Sequence, residues 1–437
     1  MGRIRLRPGR QRSLLAGRPW VYRNEIGEVE GDPATGDVIV VADARGRYVA
    51  TAFYHRTSML AARVLSRREG EEVGTDFFRR RLLAAWALRS RFLDDVSACR
   101  VVFAEADGLP GLIVDRFDRV LVVQTLTAGM DARLDMVLDT LTAMTGITDV
   151  YERNDGPVRR LEGLPERRGP LRGHPPDRVD VREGAVRLTV DLARGQKTGH
   201  FLDQRDNRLA FGRAVRRLLV EPALDGAAVP PPPPRDPGGP AAAAPPGACA
   251  GPPAVPPPPA RAVRVLDAFC NTGGFGLHAL AAGAGEVWFV DSSEAAVEAA
   301  LEHAERNGFG GRAVGRVGNA FDELRSLEAE PRSWDAIVLD PPAFARGRAQ
   351  LDGAFRGYKD LNLRAMRLLA PGGLLCTCSC SQPVTWEMFS AMLAEAAADT
   401  GRSMRVLERR GAPADHPGLL GAEETQYLQC HLLQAVD

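Results

Sequence analysis

The sequence predicts an α/β protein with a Rossmann-like sheet in its C-terminal half, preceded by a small, mostly β domain and a middle α/β module. Three observations carry this expectation. Over Val263 to Leu280 a β-rich apolar run leads through a glycine loop into a helix-forming run, the strand-loop-helix of a nucleotide site. Strand and helix patterns then alternate, with Asp267, Asp291, Asn319 and Asp340 falling at strand ends. Residues 1–70 instead hold short β-rich runs between Gly and Asp turns.

The 437 residues suffice for two or three domains, and 45% hydrophobic content marks a globular chain. No apolar run reaches membrane-span length, and the basic start from Arg3 to Arg12 leads into no apolar signal core. A soluble, cytoplasmic protein without membrane contact is expected. Seven cysteines without paired spacing fit a reducing compartment. Zero formal net charge supplies no global field for polyanions, although residues 1–70 carry 13 Arg against 7 acidic residues, which suits phosphate contact. Only Lys197 and Lys359 among the 56 basic residues are lysines, a skew that matches biased genomic base composition. Arginine abundance is therefore no evidence for RNA by itself.

In chain order, Val38–Val41, Tyr48–Phe53 and Leu60–Leu65 read as strands, and Trp20, Val21 and Tyr22 as core. Thr75–Leu93 has apolar residues at helical spacing and opens the middle module, residues 75–195. There Gly108 to Leu126 reads as a hairpin, Leu134–Met144 as a helix, Asp149–Arg153 and Val186–Asp191 as strands, and the charged, proline-spaced Arg159–Asp180 as loop. Residues 196–220 open a helix that belongs with 263–437. Between them, residues 221–262 hold 16 of the 32 prolines, and lacking apolar side chains they should form a disordered, polyproline-like linker in which Cys249 is an idle thiol.

From Val263 onward, strands are expected at Val287–Val290, Ala313–Val317, Trp334–Leu339 and Gly373–Cys378. Helices are expected at Glu294–Asn307, up to Leu327, at Tyr358–Ala370 and at Trp386–Ala398. Regular βα repetition implies a parallel sheet covered on both faces, with ligands at the strand carboxyl ends.

The loop chemistry separates two nucleotide sites. The glycines fall at Gly273, Gly274 and Gly276, not at the dinucleotide spacing, and an acid at Asp267 repels a pyrophosphate. It suits a cofactor with a cationic amino group, such as S-adenosylmethionine. Asp291, eighteen residues after Gly273, is placed to accept ribose hydroxyls. In Asp340-Pro341-Pro342-Ala343-Phe344 the prolines stiffen the turn, so Asp340 points into the cleft and Phe344 can stack on a planar ring, as a flipped base requires. Cys376, Cys378 and Cys380 alternate, but no Cys-x-x-Cys or nearby His supports a metal, and none is expected. Cys380 stands apart, past the strand and between Ser379 and Ser381, where a thiolate can add to carbon 6 of a pyrimidine while Asp340 holds ring N3.

Several motifs carry a family resemblance: Lys197-Thr-Gly with Phe201-Leu-Asp-Gln-Arg-Asp, Thr272-Gly-Gly-Phe, Asp340-Pro-Pro-x-Phe, Arg356-Gly-Tyr-Lys-Asp, Ser379-Cys-Ser and Asp415-His-Pro. The chain resembles the 23S ribosomal RNA cytosine-5 methyltransferases with an N-terminal PUA domain, nearly end to end. The resemblance implies a PUA RNA-binding domain over residues 1–70, a class I methyltransferase C-terminally, and Cys380 as nucleophile. The expected cofactor is S-adenosyl-L-methionine, met by Asp267, Phe269, Cys270, Thr272, Gly273, Gly274, Phe275, Asp291, Ser292, Asn319, Ala320 and Asp340, with Gln204 and Arg205 closing the far side and Arg205 on the cofactor carboxylate. Pro341, Pro342, Phe344, Lys359 and Lys197 are expected to meet substrate. The expected partner is 23S ribosomal RNA or a large-subunit precursor, with a homodimer allowed. Asn271 and His200 stand where the family has aromatics, and the strand-four motif lacks a second cysteine, so no residue is assigned to take the carbon-5 proton. Two other functions stay open: an exocyclic-amine methyltransferase, which needs Asp340 but no cysteine, and a non-catalytic RNA-binding assembly factor.

Overall fold

The computed structural model describes residues 2–195, 198–219 and 262–436. The expected linker over 221–262, all but its last residue, lies outside them, as do Cys249 and Lys197. At the N-terminus, β1 (Arg3–Leu6), α1 (Gln11–Leu15), β2 (Trp20–Tyr22), β3 (Ile26–Glu30), β4 (Val38–Ala42), β5 (Tyr48–Tyr54) and β6 (Leu60–Ser66) build a six-stranded sheet, order β2-β6-β5-β4-β1-β3. Only β1 and β4 pair in parallel. Val21 is core as expected, but Tyr22 is 36% exposed and Trp20 donates its indole N–H to Glu105 Oε1 of the next module at 3.1 Å. The pair is a tether and a surface ring.

The middle module contains α2 (Thr75–Phe92), β7 (Ala98–Phe103), β8 (Leu112–Phe117), β9 (Val120–Thr125), α3 (Ala128–Asp131), α4 (Leu134–Thr145), β10 (Asp149–Asn154), α5 (Val158–Leu161) and β11 (Arg167–Arg172). Its sheet order is β11-β10-β9-β8-β7. A separate hairpin pairs β12 (Arg178–Glu183) with β13 (Val186–Asp191). The loop expected over Arg159–Asp180 is thus wrong. β11 is an edge strand of sequence Arg-Arg-Gly-Pro-Leu-Arg, whose open side tolerates charge and Pro170, so it lacks the apolar alternation that marks a strand.

After α6 (Arg205–Leu218), the C-terminal half runs β14 (Arg264–Ala268), α7 (Gly274–Ala282), β15 (Glu286–Asp291), α8 (Glu294–Arg306), β16 (Ala313–Val317), α9 (Ala320–Leu327), β17 (Trp334–Leu339), α10 (Leu351–Leu368), β18 (Leu369–Ser379), α11 (Trp386–Thr400), β19 (Met404–Arg410) and β20 (Gln429–Ala435). Its seven strands lie in the order β16-β15-β14-β17-β18-β20-β19, with one apolar core on each face. The five strands β14 to β18 are parallel, but β20 runs antiparallel to β18 and to β19. The sheet is therefore mixed, not the wholly parallel one expected. β19 is a largely exposed edge with four charged residues among seven, which hides it from a search for buried strands. α10 begins seven residues before the expected Tyr358, because Gly353 and Gly357 weaken its local signal while Ala354 and Tyr358 pack into the core.

Candidate functional site

Strand order reverses around β14, and the crevice this leaves at the carboxyl ends of β14 and β17 is where an α/β sheet binds ligands. The chain leaving β14 adopts left-handed backbone at Phe269 (φ 66°), Asn271 (φ 49°) and Gly273 (φ 84°), a strained course for the two side-chain-bearing residues. Hydrogen bonds hold it: Cys270 N–H donates to Val290 O at 2.9 Å, and Asn271 N–H to Asp291 Oδ2 at 3.0 Å. Asp291 Oδ1 accepts Ser293 N–H at 2.9 Å, so both oxygens already receive a backbone donor. A Cβ on Gly276 would lie 2.3 Å from the Phe289 ring, so glycine there lets α7 seat on the sheet. Gly276→Ala should destabilise the protein by about 1–3 kcal/mol, read as a drop of several degrees in Tm.

A cleft of about 380 Å³ opens above these strand ends. Asp340 and Pro341 enter it from the end of β17, and Cys380 from the end of β18, its neighbour in the sheet. Cys380 Sγ lies 3.7 Å from the Pro341 carbonyl oxygen and is partly exposed. Its flanking residues point the other way: Ser379 Oγ donates to the Tyr358 hydroxyl at 3.1 Å, and Ser381 Oγ lies 2.9 Å from that hydroxyl and accepts Ala345 N–H at 3.1 Å. The serines anchor the turn and leave the thiol on the cleft side. Gln204 Oε1 accepts from Asn207 Nδ2 at 2.7 Å, which aims Gln204 Nε2 at Asp340 Oδ1, 2.8 Å away. Burial pushes the Asp340 carboxyl well above its ordinary range, and the Cys378 and Asp203 side chains add to this.

A PUA-like domain model matches residues 4–67, and an S-adenosylmethionine-dependent methyltransferase model matches residues 258–429. The ribosomal RNA large subunit methyltransferase I of Tolumonas auensis is 37% identical over 438 residues, covering 99% of each chain. That of Aeromonas hydrophila is 37% identical over 437 residues, again covering 99% of each. The chain belongs to the ribosomal RNA large subunit methyltransferase I family. Among solved structures, a putative S-adenosylmethionine-dependent methyltransferase from Streptococcus mutans superposes with a TM-score of 0.76 at 16% identity, over 99% of this chain and 100% of that one, which shows a shared fold.

As an S-adenosylmethionine-dependent methyltransferase, the protein offers a site that fits the cofactor's cationic amino group. Asp267 is 1% exposed; its Oδ2 accepts Gly276 N–H at 2.8 Å, while its Oδ1 has no hydrogen-bond partner among the described residues. Burial pushes this carboxyl up to about 8, aided by the charges of Asp340 and Asp291. A buried acid with an orphaned oxygen is costly until a cationic donor meets it.

The methyltransferase cleft brings together most of the residues picked from sequence. Gln204, Phe269, Asp291 and Ser292 line it, as do Asn319 and Ala320, and Asp340, Pro341, Pro342, Phe344 and Cys380 complete that set. Cys270, Thr272, Gly273, Gly274 and Phe275 are not on this wall and shape the loop, and Asp267 lies just outside the lining at the end of β14, with Oδ2 on the Gly276 N–H and Oδ1 as the atom left to meet a ligand. Arg205 is committed to Asp415 (3.2 Å) and Asp206 (3.1 Å), so Gln204 and not Arg205 meets the cleft. Lys359 pairs with Glu395 and Asp399, 3.1 and 3.0 Å away on α11, and is not on the wall either. The thiol group expected as Cys376, Cys378 and Cys380 is different: β20 sets Cys430 opposite Cys378, and the buried sulfurs of Cys376, Cys378 and Cys430 lie within 4.8 Å of one another. Cys380 is past the strand and takes no part. Phe201, Asp203, Asn271, Phe321 and Leu428 also form the wall and are not among the site residues expected from sequence. Phe321, the second residue of α9, donates its N–H to the Asn319 cap and packs on Phe344, centroids 6.0 Å apart, a signal that helical spacing alone assigns to core.

Proposed function

We propose that this methyltransferase makes 5-methylcytosine in 23S ribosomal RNA through a covalent adduct on Cys380. One observation carries the reading: a partly exposed thiol and a partly buried carboxyl share one cleft at neighbouring strand ends, beside the glycine loop. Cys380 attacks carbon 6 of the cytosine, and Asp340, kept protonated by burial, donates to ring N3 as electrons move onto it. Bound S-adenosylmethionine supplies the methyl group that carbon 5 then takes. Asp267 holds the cofactor's amino group, Asp291 the ribose hydroxyls, Asn319 the adenine edge, and Phe344 stacks on the base. The relatives' name, ribosomal RNA large subunit methyltransferase I, supports large-subunit ribosomal RNA as the substrate. We assign RNA capture to residues 1–70, a middle module to 75–195 and the chemistry to 196–220 with 263–437. Every group named comes from a single chain, so the homodimer allowed from sequence is not needed for the site.

The test is bisulfite mapping of 23S ribosomal RNA from cells with and without the gene: one cytosine should lose its methyl mark. Methylation on an exocyclic amine instead would end this reading.

Asp267 gives a second expectation. With the carboxyl raised to about 8 from 3.8, the free protein keeps a proton there at pH 7. A cationic amino group favours the carboxylate, so cofactor binding at pH 7 should release most of one proton, and affinity should rise with pH up to about 8. Calorimetry in buffers of different ionisation enthalpy reads this directly, and Asp267→Asn should abolish the release.

A further inference from the structure

Methylation at carbon 5 leaves a proton that must depart before the adduct can collapse, and neither Cys380 nor Asp340 is suited to take it. The sulfur is the leaving group, and Asp340, having given its proton to ring N3, takes that same proton back as the ring is restored. Asp291 also lines the cleft, but the reading above commits it to the cofactor's ribose hydroxyls. Asp203 remains. It sits on the cleft wall within the short turn Leu202–Gln204 that opens α6, only 5% exposed, next to the Gln204 that reaches across to Asp340. Its Oδ2 accepts the Tyr427 hydroxyl at 2.6 Å, and Leu428, adjacent to that tyrosine, lines the same cleft. Burial and the Asp203 charge push Tyr427 well above its ordinary value, so the phenol keeps its proton and donates to the carboxylate.

We infer that Asp203 is the base that takes the carbon-5 proton, held in place by Tyr427; this rests on the cytosine-5 reading above. The proton passes from carbon 5 to the Asp203 carboxylate. The electrons of that C–H bond restore the carbon 5–carbon 6 double bond, the carbon 6–sulfur bond breaks with its pair returning to Cys380 as thiolate, and the proton on ring N3 returns to Asp340. Asp203 then loses its proton to water through the open cleft.

The experiment uses the full chain, an unmodified 23S ribosomal RNA transcript and methyl-labelled S-adenosylmethionine. Asp203→Asn should transfer one methyl group per enzyme in a burst and then turn over about 100-fold more slowly than the parent. Most of the enzyme should accumulate as a labelled protein–RNA adduct that survives denaturation and is absent from the Asp203→Asn/Cys380→Ala double variant. Turnover within threefold of the parent, or cofactor binding with neither burst nor adduct, overturns the assignment. If Asp203→Asn does not fold, Tyr427→Phe decides: slowed release with detectable adduct supports the base, and parental turnover without adduct refutes it. A transcript containing 5-fluorocytosine separates the two levels, since its carbon 5 has no proton to lose. The parent enzyme should be trapped on it; no trapping means the cytosine-5 reading has failed, not only Asp203.

Discussion

Cys380→Ala should abolish methyl transfer to RNA, a fall of at least about 10,000-fold, on the scale seen when a covalent nucleophile is removed. Cofactor affinity should stay within about threefold of the parent. The first half follows from chemistry: without sulfur addition at carbon 6, carbon 5 of cytosine is too poor a nucleophile to take a methyl group. The second follows from placement. Cys380 is only partly buried, with its thiol 3.7 Å from the Pro341 carbonyl oxygen, so alanine opens no large core cavity. The turn that carries it is held by Tyr358 through Ser379 and Ser381, which the substitution leaves intact. Labelled-methyl incorporation and calorimetric titration with S-adenosylmethionine measure the two halves. Activity near the parental level in Cys380→Ala would remove the covalent mechanism and favour transfer to an exocyclic amine, which Asp340 and Pro341 alone can support.

What sequence reveals about this site depends on which element carries each residue. Asp267, Asp291, Asn319 and Asp340 close or follow strands of a regular βα repeat, so periodicity alone sends them to one sheet edge. Residues brought in from outside that repeat are harder. Leu428 arrives on the loop before β20, a strand whose antiparallel run no βα pattern announces. In Phe201-Leu-Asp-Gln-Arg-Asp the motif is visible, yet the turn at Leu202–Gln204 gives way to α6 at Arg205, so one residue decides which side chain faces the cleft. Arg205 instead helps clamp Asp415, whose Oδ2 also accepts Arg100 N–H at 3.0 Å, so that motif ties the C-terminal loop to the middle module. Charge alone favoured Arg205 for an anionic cofactor group; the helix start turned it away. The cysteine grouping failed for a related reason, since alternation holds only while the strand lasts, and β18 ends at Ser379.

Asp340→Asn should lower kcat by about 100- to 1,000-fold, because an amide can still hydrogen-bond to ring N3 but cannot hand over a proton. The fold should survive: asparagine keeps an Oδ1 to accept from Gln204 Nε2, the 2.8 Å bond that spans the cleft. The pH profile makes the test specific. Burial, then the neighbouring Cys378 and Asp203, raise this carboxyl well above its ordinary value, so the protonated form persists in the folded protein where an unfolded chain has already ionised. The stability this group contributes is present at low pH and is lost as pH rises through the raised value. That loss begins where an unfolded aspartate ionises and is complete at the raised value, around which activity dependent on the protonated acid also falls. Asp340→Asn should therefore flatten the alkaline limb of kcat against pH and reduce the alkaline loss of stability, two readouts that a mere packing defect would not move together. An alkaline limb unchanged in Asp340→Asn would assign it to another group and leave Asp340 as a hydrogen-bonding contact only.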